Sequence, residues 1–92
     1  MERNQEFFDY KLLHDFQYEV PLKSWVNETN FINKFKEDWN VLMEVLDTIE
    51  SFGYGVVIDG WSVSIPLANI RVKGSSRRDA TYKACLEFLK ER

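Results

Sequence analysis

Along this chain the apolar positions alternate between a helical period and a strict two-residue period. In DWNVLMEVLDTIESFG, Trp39, Leu42, Val45, Leu46, Ile49 and Phe52 recur at helical spacing. Asp38 offers an N-cap, and Gly53 suits the left-handed residue that ends a helix. Glu44, Asp47 and Glu50 fall away from the apolar stripe, as a solvated face does. YGVVIDGWSVSI then alternates, and Asp59-Gly60 is a two-residue hairpin signal of type I′. That turn sets Ile58 opposite Trp61, Val56 opposite Val63 and Tyr54 opposite Ile65, all on one apolar face. Gly55, Val57, Ser62 and Ser64 make the other face, and Pro66 breaks the second strand. NIRVK alternates again, with Ile70 and Val72 inward and Arg71 and Lys73 outward. Ser76 caps a last helix with Asp79 as its capping-box partner, and Thr81, Ala84, Cys85, Phe88 and Leu89 line the buried side.

Residues 38–92 therefore read α-β-β-β-α, an α+β core in which a three-stranded antiparallel sheet carries two helices packed on one face. Residues 1–37 are an aromatic-rich segment that precedes it. NQEFFDYKLLHDF predicts a short helix, and QYEVPLKSWV an extended stretch interrupted at Pro21. Phe7, Phe8, Tyr10, Phe16, Tyr18, Trp25, Phe31 and Phe35 give this segment too much apolar surface for a free tail. It is expected to dock on the core or on a partner, so residues 1–92 read as one domain.

Composition removes several functions. No apolar run approaches the roughly 20 residues that cross a bilayer, and MERNQEFFDYK lacks the pattern of a secretory signal. Cys85 is the single cysteine, so no internal disulfide can form, and a reducing, cytoplasmic setting is expected. Its place on the apolar side of the last helix marks it as a core residue. His14 is the single histidine, with no second metal ligand beside it. Ser62 and Ser64 have no base beside them, and no glycine-rich phosphate loop follows a strand. The expectation is a non-enzyme with no cofactor and no metal.

Charge brings in the one positive signal. Residues 1–69 hold five Lys/Arg against twelve Asp/Glu, a balance of −7, and residues 70–92 hold seven against three, a balance of +4. Such a split suits binding an anion locally or meeting a second copy of the chain. In GSSRRD, Arg77 and Arg78 occupy a helical first turn, where the helix dipole disfavours cations by about 0.3–1 kcal/mol each. An anion at that end would reverse the penalty. Ser75, Ser76, Arg77 and Arg78, with Arg71 and Lys73 nearby, are thus the candidate anion- or partner-binding residues. A carboxylate, from the acidic part of this chain or of a neighbour, is the expected group.

Two resemblances bear on function. Trp39, Ile49-Glu50-Ser51, Gly53, Tyr54, Ala80, Tyr82, Ala84, Cys85, Glu87 and Phe88 resemble a pattern in the phage ABA-sandwich family, small proteins of Bacteroides and their phages. This likeness covers residues 38–92 and implies a phage or prophage accessory protein in a bacterial cytoplasm, without an assigned activity. Arg77, Arg78, Ala80, Ala84 and Cys85 resemble the last segment of double-stranded RNA-binding domains, where a basic cluster meets phosphates. Thr81 stands where that family usually has a lysine, and Asp59-Gly60 replaces its long minor-groove loop. The acidic balance also opposes a polyanion. The expected function is therefore binding of a protein, either the chain itself or a host component, with inhibition of a host nucleic-acid-handling or defence system as its use. A duplex-RNA-binding module is the alternative. Oligomeric state is left open.

Overall fold

The computed structural model describes residues 2–20 and 22–91, with residues 2–4 and 6 described by their backbone alone. The expected interruption at Pro21 lies outside the described residues. Helix α1 spans Glu2–Glu19, α2 Trp39–Ser51 and α3 Arg77–Glu91. Strands β1 (Val57–Asp59), β2 (Ser62–Ile65) and β3 (Ile70–Lys73) form one antiparallel sheet in that order. The fold is α+β, and the α-β-β-β-α order follows α1.

Helix α2 forms where the sequence places it. The Asp38 carboxylate accepts from the Asn40 amide at 2.8 Å, and Gly53 closes the far end at φ +95°. Its Val41, Leu42, Val45, Leu46 and Ile49 are buried. Trp39 is only partly covered and Phe52 is exposed, so the buried stripe is shifted toward Val41.

The hairpin register differs from the expected one. Ile58 pairs with Val63 and Asp59 with Ser62, which makes Gly60-Trp61 the two-residue loop. Gly60 alone has positive φ there, +61°, the pattern of a II′ turn with glycine first. A turn at Asp59-Gly60 would require positive φ at an aspartate and would seat Trp61 in the ladder opposite Ile58. In the observed register Trp61 stands in water, 67% exposed. Each cross-strand partner moves by two residues, so the inward faces are kept: Val63 and Ile65 are buried, and Val56 is partly so. Ile58, one residue before the last pair of β1 at the turn, is exposed. Pro66 ends β2 as expected, in a 3₁₀ turn over Pro66–Ala68.

Helix α3 is the centre of the molecule. It lies on β2 and β3 through Ala80 and Ala84, whose small side chains let the helix approach Val63. Its other sides meet α1 and α2. Ala80, Thr81, Tyr82, Ala84, Cys85, Leu86, Phe88 and Leu89 are all buried, a wider sector than the predicted stripe. Gly74, between β3 and α3, passes so close to the helix that a Cβ there would lie 2.5 Å from the Ala80 nitrogen.

The N-terminal third departs most from expectation. Helix α1 is the longest element rather than a short one, and Gln17–Glu19 belong to it instead of to an extended stretch. Residues 22–27 have no regular structure, and Ile32–Lys36 form a π-helical turn that carries the buried Phe35. Asn27 and Asn30 start that turn reciprocally, each carboxamide oxygen accepting the other residue's amide at 2.8 and 3.0 Å. Leu13, Phe16, Leu22, Val26, Phe31 and Phe35 enter the same core as Leu42, Ile49 and Ile65.

Three polar side chains secure this segment. Gln17 is buried, and its carboxamide pairs with both backbone groups of Val26: Nε2 donates to the carbonyl at 2.9 Å, and Oε1 accepts from the amide at 2.8 Å. The Lys23 amide donates to the Glu44 carboxylate, so one member of the acidic row on α2 holds the loop rather than facing only solvent. Asp9, also buried, accepts from Gln5 at 2.8 Å and from the Tyr82 hydroxyl at 3.2 Å.

Candidate functional site

The start of α3 is a closed hydrogen-bonded box. Ser76 Oγ accepts from the Asp79 amide at 3.1 Å, the predicted N-cap bond. The reciprocal bond goes one residue further back than a capping box requires: the Asp79 carboxylate accepts from the Ser75 amide at 2.9 Å. Lys83, one turn on, pairs with the same carboxylate at 3.2 Å. The Ser75 amide bond, with smaller help from Lys83, holds the Asp79 carboxyl below its ordinary value of 3.8 against the opposing effect of partial burial. An internal carboxylate thus occupies the place where Ser75 and Ser76 would meet an external anion.

The two arginines diverge. Arg78 reaches back to the end of the π-helical turn, where Nη1 donates to the Glu37 carbonyl at 3.1 Å and Nη2 lies 3.5 Å from the Glu37 carboxylate. The anion that Arg78 meets is therefore a carboxylate of this chain. Arg77 is exposed and makes no ion pair among the described residues.

Arg71 and Lys73 are both exposed on β3, but they border different hollows. Arg71 lines a concavity of about 500 Å³ with Ser62, Ser64 and Val57. Lys73 lines a groove of about 380 Å³ with Gln5, Asp9, Lys83 and Lys90. In that groove Lys83 is paired with Asp79, and Lys90 lies 3.4 Å from Glu87. The six predicted residues thus do not converge on one point: the serines are bound within α3, Arg78 is tied to Glu37, and the rest point to separate surfaces.

His14 lies within an aromatic series on α1. Its ring sits 5.6 Å from Tyr10, 5.0 Å from Tyr18 and 6.1 Å from Trp25, while Tyr18 and Trp25 meet edge to face at 5.4 Å. From Tyr10 the series continues inward through Phe31 to Phe35 and Tyr82. Its outer end is a surface that sequence reasoning did not distinguish from the docked part of the segment. The available signal was Phe7, Lys11, His14 and Tyr18 at i, i+4, i+7 and i+11, one stripe of a helix.

Cys85 is fully buried, and desolvation pushes its thiol up to about 12, which leaves no reactive thiolate at neutral pH. Among the described residues no three His, Cys, Asp or Glu side chains gather to hold a metal, and no helix is long and apolar enough to cross a membrane. Comparison with protein-family models, curated proteins and solved structures finds no match for this chain.

Proposed function

We propose that this chain is a non-enzymatic protein-binding module that docks its partner on the outer aromatic face of α1 and the segment after it. One observation carries the reading. Phe7, Phe8, Tyr18 and Trp25 stand 53, 50, 69 and 44% exposed, although the same third of the chain buries Leu13, Phe16, Val26, Phe31 and Phe35. The fold is already anchored without those four rings, so their exposure is not needed for packing. Large aromatic side chains in water are the groups that supply most of the energy when a protein interface closes. Lys11 and Asp15 lie beside them and provide the polar rim such interfaces have. The resemblance of residues 38–92 to the phage ABA-sandwich family extends the proposal to a phage accessory protein that occupies a component of a host nucleic-acid-handling or defence system.

The internal engagement of Ser75, Ser76 and Arg78 supports protein binding over duplex RNA, which requires several free phosphate contacts. The test compares immobilised wild type with Phe7→Ser/Tyr18→Ser/Trp25→Ser and with Arg77→Gln/Arg78→Gln, each checked for an unchanged melt. A protein retained by wild type and by the arginine variant but lost from the aromatic variant supports the reading. Salt-sensitive duplex-RNA binding that disappears in the arginine variant overturns it.

A further inference from the structure

We infer that two copies of this chain pair through the free edge of β1, antiparallel and two-fold symmetric about Ile58, so that their sheets join. Strand β1 is the first in the sheet and pairs only with β2, which leaves its outer edge without a neighbouring strand. Asp59 and Ser62 flank the two-residue loop and so form a hydrogen-bonded pair. Bonded and non-bonded pairs alternate along an antiparallel ladder, which makes Ile58 and Val63 a non-bonded pair. The Ile58 N–H and C=O therefore point away from β2, and neither has a partner among the described residues. The two edge strands of the sheet also differ in kind. Strand β3 carries Arg71 and Lys73, both exposed, the charges with which edge strands deter pairing. Strand β1 has no Lys and no Pro, and it shows Val57 and Ile58 to solvent at 52 and 38% exposure.

The register decides the occupant. With Ile58 facing Ile58 of the second copy, each N–H donates to the other's C=O. Val57 then faces Asp59 of the second copy, and Asp59 faces its Val57, so the two carboxylates stay apart. Centring the pair on Asp59 instead would oppose them directly. Charges on the open face of the joined sheet also complement one another. Val57, Ser64 and Arg71 form one row across the three strands, and Asp59, Ser62 and Lys73 form the next. Pairing about Ile58 runs the first row of one copy into the second row of the other, which sets each Asp59 between Arg71 of its neighbour and its own Lys73. An edge of three residues covers little area, so the association is weak, with a Kd on the order of 0.1–1 mM.

The test is a dilution series of the intact chain from about 1 mM, a concentration that populates such a dimer, followed by amide NMR and sedimentation. Concentration-dependent shifts centred on the Ile58 amide are expected, as it gains its missing acceptor. Val57→Lys and Val57→Asp then distinguish this register from any other. Val57 and Asp59 of the second copy form a non-bonded pair, where side chains approach most closely, and each substitution counts twice in a symmetric dimer. Val57→Lys should tighten association about two- to tenfold at low salt, and Val57→Asp should weaken it by a similar factor. Val57 is exposed, and melts at low concentration confirm that both variants remain folded. A chain that stays monomeric throughout the series overturns the inference. Association that leaves the Ile58 amide unmoved overturns it too, because another surface is then responsible. So does a response of the same sign to both substitutions.

Discussion

Replacing Gln17 by Met should be among the most damaging single changes available in this chain. Met keeps the length and the unbranched shape of Gln but removes the carboxamide. Val26, itself fully buried, then loses the partners of both its amide and its carbonyl. An unpaired buried backbone group costs about 1–3 kcal/mol, and the thioether regains a little by apolar burial, so about 2–4 kcal/mol is expected. A chain of this length has about 5–14 kcal/mol in total, so the melting temperature should fall by about 10–25 °C. Urea unfolding followed by both circular dichroism and tryptophan fluorescence measures the loss. It also shows whether the neighbourhood of Trp25 opens before the helices do. Gln17→Glu sharpens the test. When ionised, its new carboxyl can accept from the Val26 amide but cannot donate to the carbonyl, and it is buried with charge. When protonated, it can do both. Burial raises the pKa of that carboxyl in the folded state, so the deficit against wild type should shrink as pH falls from that raised value toward the ordinary Glu value of about 4.3, and change no further below it. A loss under about 0.5 kcal/mol in Gln17→Met, or a deficit in Gln17→Glu indifferent to pH, would show that water or a shifted loop serves Val26 equally well.

Four further outcomes follow from the packing around α3 and from a contrasting position outside it. Asp79→Asn should cost about 0.5–1.5 kcal/mol at pH 7. Because the folded-state pKa is depressed, that contribution is complete above the ordinary carboxylate value of 3.8 and disappears as pH falls through the lower folded value. The gap between the two melts should therefore close in acid, and a gap that persists at pH 2 contradicts the assignment. Gly74→Ala should cost about 1–3 kcal/mol, because its Cβ would meet the backbone of Ala80. Gly55→Ala meets no atom within 4 Å and should lie within about 0.5 kcal/mol of wild type in the same denaturation series. Cys85, with its thiol near 12, should stay unmodified by a disulfide reagent at pH 8 in the native protein and react fully once unfolded. Rapid native-state labelling would mean that the helix opens far more readily than its burial implies.

Within the candidate site, the Ser76 cap was legible because its partner amide lies three residues away on the same helix. The role of Arg78 was legible only in kind. A cation in a helical first turn calls for an anion, yet Glu37 is 41 residues distant and nothing local indicates it. The exposed aromatic face left only the Phe7-to-Tyr18 stripe as a signal, because burial on α1 contradicts the polarity of its residues. Asp9 and Gln17 are inside, while Phe7, Phe8 and Tyr18 are outside. A helix whose polar groups are buried by specific partners leaves little apolar periodicity to read.

What the sequence determined by itself is therefore what short-range chemistry decides. It set α2 between Asp38 and Gly53, the end of β2 at Pro66, the inward positions Val63, Ile65 and Ile70, and the α+β order of the core. The tertiary structure decided whatever depends on residues far apart. The length of α1 rests on Leu13 and Phe16 packing into the core and on the clamp from Gln17 to Val26. The hairpin register was decided by exposing Trp61 while Val63 meets Ala80 and Ala84 of α3. Capping bonds, proline restraints and left-handed glycines act within a few residues and leave a local signature. Burial and pairing across the fold have none, because their free energy exists only once the distant surfaces have met.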